Sequence, residues 1–292
     1  MKNFLNKLIF TSCSIFALNF AFAVAFAQSK KLLFPYAPGI ESYTYRTNFS
    51  KDVPATLNLI KDNGIKDIEF SSLFNLSPEA LRKLLDERSL QCSSFGTGWN
   101  NIMHKTAEVA NAAKALGAHF IHLGSVPQAG KTFTLQDAEF AVAELNRVGK
   151  ILKDEYGLEL LCHNHGVEFV PYENGTLYDY LIQRTNPKYV SFELDILWAF
   201  LPGHDPAQLT DKYPARIKAL HVKDLKKGIA TNNSGKTDHN NNVVLGQGQI
   251  NIPAVIKAAK RAKIKHYYLE DESQFAVEQI PRSIEYLQSL KQ

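Results

Sequence analysis

The sequence predicts an α/β fold, a single (β/α)8 barrel, and three observations predict it. Eight short apolar runs alternate with helical patterns from Gly39 to the C-terminus. Removal of an apparent leader of 27 residues from the 292 leaves 265, close to the roughly 250 residues typical of such barrels. No Gly-x-Gly-x-x-Gly follows the first run, which argues against an open dinucleotide-binding sheet. Strands that alternate with helices imply a parallel sheet covered by helices, and eight units close most economically into a barrel.

The leader comes first. Lys2 and Lys7 precede an almost wholly apolar stretch, Leu8–Ala27, and Ala25-Phe26-Ala27 offers a small-x-small cleavage site before Gln28. The expectation is a cleaved signal peptide over 1–27, a barrel domain over 28–292 and a periplasmic or secreted location. The alternative is an uncleaved anchor, since about 20 apolar residues span a bilayer. Cys13 lies too early for a lipoprotein site. Two of the 33 basic residues and none of the 29 acidic ones fall in the leader, so the rest carries +2. That balance excludes an electrostatic footprint for nucleic acid. Cys92 and Cys162 fall in separate predicted strands with another between them and read as buried thiols. No membrane association is expected after cleavage, and a homo-oligomer is left open.

The predicted strands are Gly39–Tyr45, Ile65–Ser71, Leu90–Phe95, Ala118–Gly124, Leu158–His163, Tyr189–Asp195, Ile217–Asp224 and Ile264–Asp271. Helical period marks Ser77–Glu87, with Leu81, Leu84 and Leu85 on one face, and Lys105–Leu116, Gln136–Leu152, Pro253–Ala262 and Phe275–Leu290. Ser77-Pro78 and Asn251-Ile252-Pro253 supply caps with an early proline. The connection Lys226–Gln249, rich in Asn, Gly, Ser and Thr, is long enough to suggest a substrate-covering loop. It follows a strand, on the face where barrel sites form.

Several strands end in ionisable residues where a barrel core wants Val, Ile and Leu. Strand five ends Leu161-Cys162-His163-Asn164-His165 and runs on to Glu168; strand six ends Glu193-Leu194-Asp195; strand seven ends His221-Val222-Lys223-Asp224; strand eight ends Glu270-Asp271. Alternation places His163 with His165, Glu193 with Asp195, and His221 with Lys223. Glu69 adds a carboxylate in strand two. Burying these groups is costly unless they pair or bind a cation, and mixed oxygen and nitrogen donors suit Mn, Mg, Co or Zn. His122 can reach the site from strand four; His104, His119, His204, His239 and His266 read as core or surface residues. Asp271 and Glu272 read equally well as solvated charges. Trp99 and Trp198 are core residues or an apolar wall for a sugar ring.

These strand ends resemble the sugar phosphate isomerase/epimerase family, the xylose isomerase-like TIM barrels. The matching pieces are Gly64–Glu69, His163-Asn164-His165-x-x-Glu168, Phe192–Asp195, His221–Asp224, Leu245–Gly248 and Glu270. The resemblance implies one divalent metal held by Glu168, Asp195, His221 and Glu270, with His163 the alternative ligand from strand five. Gln247 stands where relatives often carry Glu. The implied function is isomerisation or epimerisation of a sugar through a metal-stabilised enediolate. His163, His165 or a metal-bound carboxylate is the base, Lys223 the oxyanion donor, and Glu69 and Trp198 position the ring. The alternative outcome is a 3-keto-glycoside lyase or hydratase that expels the C1 substituent. Export favours it, because glycosides outnumber phosphorylated sugars outside the cytoplasm. A phosphodiesterase similar to endonuclease IV and an inert sugar-binding module complete the readings. The partner is a small sugar or glycoside.

Overall fold

The computed structural model describes residues 31–34 and 37–292. The expected leader lies outside these residues. Eight strands, β1 (Gly39–Glu41), β2 (Asp67–Phe70), β3 (Gln91–Thr97), β4 (Phe120–Leu123), β5 (Glu159–His163), β6 (Val190–Asp195), β7 (Ile217–Val222) and β8 (His266–Leu269), close into a barrel. Their order is β1-β8-β7-β6-β5-β4-β3-β2, and every neighbouring pair is parallel. This is the (β/α)8 fold expected from the sequence.

Eight longer helices follow the strands: α1 (Val53–Asp62), α2 (Pro78–Asp86), α3 (Thr106–Leu116), α4 (Leu135–Ile151), α5 (Leu177–Arg184), α6 (Pro206–Lys212), α7 (Ile252–Arg261) and α8 (Ala276–Ser289). Local chemistry sets their starts. Ser77 Oγ accepts the Ala80 amide ahead of α2, and Asn251 Oδ1 accepts the Ala254 amide ahead of α7. α2 buries Leu81 and Leu85, with Leu84 at the edge of the same face. Among the described residues no helix is long and apolar enough to cross a membrane. Cys92 and Cys162 are buried free thiols.

The barrel lumen is stopped at its lower end. Leu161, Ala219 and Tyr268 pack there as an apolar floor with Phe120 beneath. The Tyr268 hydroxyl reaches Ser93 Oγ at 2.6 Å, and Ser93 Oγ donates to Asp67 at 2.7 Å, so the tyrosine's polar tip is satisfied. Above this floor, on the C-terminal side, the inward positions are largely ionisable.

Candidate functional site

Strand alternation builds the site. Two residues beyond the floor residue Leu161 comes His163, then His165; beyond Ala219 come His221 and Lys223; beyond Tyr268 come Glu270 and Glu272. β6 contributes Glu193 and Asp195. In the lower tier, His221 Nε2 lies 2.6 Å from Glu69 Oε1 and 3.1 Å from Glu193 Oε2. His122 bridges the same two carboxylates at 3.2 and 3.4 Å, and His163 Nδ1 stands 3.4 Å from Glu193. In the upper tier, His221 Nδ1 is 2.8 Å from Glu270 and 3.8 Å from Asp195. Lys223 Nζ sits among Glu272, Glu270 and Asp195 at 2.5, 3.1 and 3.4 Å.

Burial by itself would raise every carboxyl here and lower every base. For Glu69 the imidazoles of His122 and His221 outweigh burial and hold the carboxyl below its usual range. For Glu270, Lys223 and then His221 do the same. His122 is likewise pushed up to about 9, because Glu69 and Glu193 overcome its burial. His163 and His165 are pushed the other way. Burial lowers both, helped for His163 by neighbouring His221, so both rings stay neutral at pH 7.

Two groups of side chains bring donor atoms close enough to hold a cation: Asp195, His221 and Glu270, and His122, His163, Glu193 and His221. Several of the donors face charged neighbours without a well-formed hydrogen bond. Asp195 Oδ2, His221 Nδ1, His163 Nδ1 and both Glu193 oxygens are buried without a hydrogen-bond partner among the described residues. Such atoms fit a metal site, since buried polar atoms are otherwise almost always paired. Glu69 lies against His221 Nε2, and Glu193, Glu270 and Glu69 outweigh burial to push this imidazole well above its ordinary range, with Nδ1 turned toward Asp195 and Glu270. Asp195 is fixed as firmly. Its Oδ1 accepts the Leu197 and Trp198 amides at 2.9 Å, while the Asn164 amide brackets its backbone N–H and carbonyl. Only Oδ2 remains.

Above the donors opens a cavity of about 510 Å³, lined in part by Glu41, His165, Trp198 and Glu270. The long connection supplies Gly235, Lys236, Thr237 and His239 to the same wall. Gly235, at φ +65°, comes so close that a Cβ there would meet His165 O at 2.8 Å. Asp224 anchors the base of this connection. Its carboxylate accepts the amides of Leu225, Gly246, Gly248 and Ile250 at 2.9–3.1 Å. Gln247 is exposed on that turn.

The structure gathers Asp195, His221, Glu270, His163 and His165 as the sequence suggested, with Trp198 in the cavity wall. It separates three others. Glu168 turns back on its own loop, accepts the His165 amide at 3.0 Å and belongs to neither donor group. Glu69 is fully buried below the cavity, holding His221. Lys223 is sealed under the cavity, its ammonium divided among three carboxylates. Glu272, read from sequence as a solvated charge, is one of them, and His239 reaches it from the long connection at 3.3 Å. Glu41 was not singled out at all: the predicted first strand ran on to Tyr45, whereas β1 ends at Glu41. Glu193 was placed only by alternation with Asp195.

A closed barrel whose buried acid–base groups converge at the C-terminal strand ends has the layout in which barrel enzymes build their sites. The chain belongs to the xylose isomerase-like TIM barrel family, whose model matches residues 57–290. It is similar to an inosose dehydratase of Geobacillus kaustophilus (strain HTA426), 24% identical over 194 residues, 59% of this chain and 62% of that protein. The chain thus spans less than two thirds of that relative. In structure it is similar to a sugar phosphate isomerase/epimerase from Parabacteroides distasonis ATCC 8503, with TM-score 0.70 and 24% identity over 87% of this chain and 96% of that one. It is also similar to the IOLI protein with a binding zinc atom, with TM-score 0.69 and 16% identity over 86% and 96% of the two chains.

Proposed function

We propose that this chain is a divalent-metal-dependent enzyme that removes the proton α to the carbonyl of a sugar or sugar-like polyol, with isomerisation or epimerisation as the outcome. The observation that carries this reading is the convergence of donor atoms of Asp195, His221 and Glu270 beside the neutral imidazoles of His163 and His165 in a cavity. A Mn, Mg, Co or Zn ion held there supplies Lewis acidity toward a carbonyl oxygen. His165, neutral and facing the cavity, takes the α proton. His163, one turn of the alternation deeper, stands beside Glu193 and His221 as a further donor. Lys223 neutralises the carboxylates around it and fixes their orientation, and Trp198 offers an apolar face to the ring.

A second reading, elimination of a hydroxyl or glycosidic substituent β to the same carbonyl, is favoured by the similarity to inosose dehydratases. It uses the same proton abstraction. The two part in D2O. Metal-loaded protein is incubated with ketoses, an inosose and 3-keto-glycosides. Deuterium in recovered sugar supports isomerisation or epimerisation, whereas an unsaturated ketone or released aglycone supports elimination. Neither, across the panel, overturns both. We also propose, from the leader pattern over 1–27, that the protein acts outside the cytoplasm; a mature N-terminus other than Gln28 in protein recovered from the producing cell would count against it.

A further inference from the structure

Glu41 closes β1 and is the one cavity-lining carboxylate that stands outside both donor groups and outside the Lys223 cluster, among the described residues. Its Oε2 accepts the amide of Tyr43. Its Oε1 is buried with no hydrogen-bond partner, and the residue is 2% exposed. A carboxylate oxygen sealed in this way is costly unless a donor arrives. The buried cations are committed elsewhere: Lys223 to Asp195, Glu270 and Glu272, and His221 to Glu69 and Glu270.

Barrel order fixes where that donor must come from. β1 stands four strands from β5 in either direction. Glu41 therefore faces His163 and His165 from the far wall, with Asp195, His221 and Glu270 on the arc between. Hydroxyl groups are the donors that a neutral polyol brings to such a wall. A phosphate would meet the buried Glu270 and Glu272 with its own negative charge, against the single exposed Lys236 in the same wall.

We propose that Glu41 is a substrate-binding residue whose Oε1 accepts a hydrogen bond from a hydroxyl of an uncharged polyol, gripping the ring edge opposite the imidazole and selecting unphosphorylated substrates. The assignment rests on the polyol reading above and adds the class of polyol.

The test compares wild type with Glu41→Gln, which keeps the size of the side chain and an acceptor for the Tyr43 amide. The probe is myo-inositol, which has no carbonyl and cannot react, titrated into metal-loaded protein and followed by ligand-observed NMR. Metal content is measured in parallel. The expected result is unchanged metal, myo-inositol affinity lower by about tenfold in the variant, and KM for any turned-over substrate raised more than kcat is lowered. A variant that binds myo-inositol as wild type does, or that loses its metal, overturns the assignment. So does a wild type that ignores myo-inositol or binds myo-inositol phosphate as tightly. A wild type that binds myo-inositol yet exchanges no deuterium with any carbonyl substrate supports the role of Glu41 while removing the catalytic reading.

Discussion

At the scale of single residues, the site depends on carboxylates that hold imidazoles in place. Glu69 gives His221 its orientation, and groups in that position are worth about 10–100-fold in metal affinity. Glu69→Gln keeps an acceptor but loses the charge. Titration of Mn²⁺ into chelator-stripped protein is expected to show affinity at least tenfold weaker, and an unchanged isotherm would remove Glu69 from this role. Glu168 makes a different prediction. Burial, only partly offset by backbone amides, raises its carboxyl from 4.5 to about 7. The folded state therefore holds this proton more tightly than the unfolded one. The resulting stabilisation is complete below about pH 4.5 and is lost as the pH rises toward 7, roughly 3 kcal/mol over that window as an upper bound. Glu168→Gln is expected to flatten this part of the pH–stability curve and to retain the metal; loss of metal would return Glu168 to the ligand set.

At the scale of elements, the alternation of side chains made most of the site legible in advance. Once β5 to β8 were recognised as strands, His163 with His165 and His221 with Lys223 had to share an inward face, and the structure shows them there. Alternation says nothing of how far a side chain reaches or which way a loop turns. Glu168 lies past the end of β5 on a turn, where no period applies, and it folds back to the His165 amide. Glu272 lies two residues beyond Glu270, past the end of β8, so a sequence reading sees an exposed loop charge; Lys223 draws it inward. Asp224 shows the same limit in reverse. Its motif resembles part of a catalytic signature, yet all its bonds go to the backbone of the turn Leu225–Ile250. Asp224→Ala strands four amides, so urea unfolding is expected to show a loss of roughly 3 kcal/mol or more, with the loop over the cavity released first to proteolysis. Equal stability and equal protection would contradict that role.

At the scale of the whole molecule, the barrel concentrates Glu41, Glu69, Glu193, Asp195, Glu270 and Glu272 in one buried region. Imidazoles and one ammonium oppose them, and a divalent cation would complete the balance. Binding to the folded state alone stabilises it by about 4 kcal/mol when the free ion is a thousandfold above its Kd. For a chain of this size that corresponds to a rise in Tm on the order of 8–15 °C. Calorimetry before and after chelation is expected to show a drop of this order, restored by Mn²⁺; identical melting curves would show that no cation contributes to the fold.

The apolar stopper formed by Leu161, Ala219 and Tyr268 turns the lumen into a well with a single mouth. Bulk solvent reaches the imidazoles from the mouth of the cavity, whose wall includes Gly235, Lys236, Thr237 and His239. While a ligand fills the cavity, a hydron taken from one carbon has no second exit and stays in the well until the mouth clears. Part of it therefore returns to the same molecule, and deuterium labelling of product falls short of one atom per turnover.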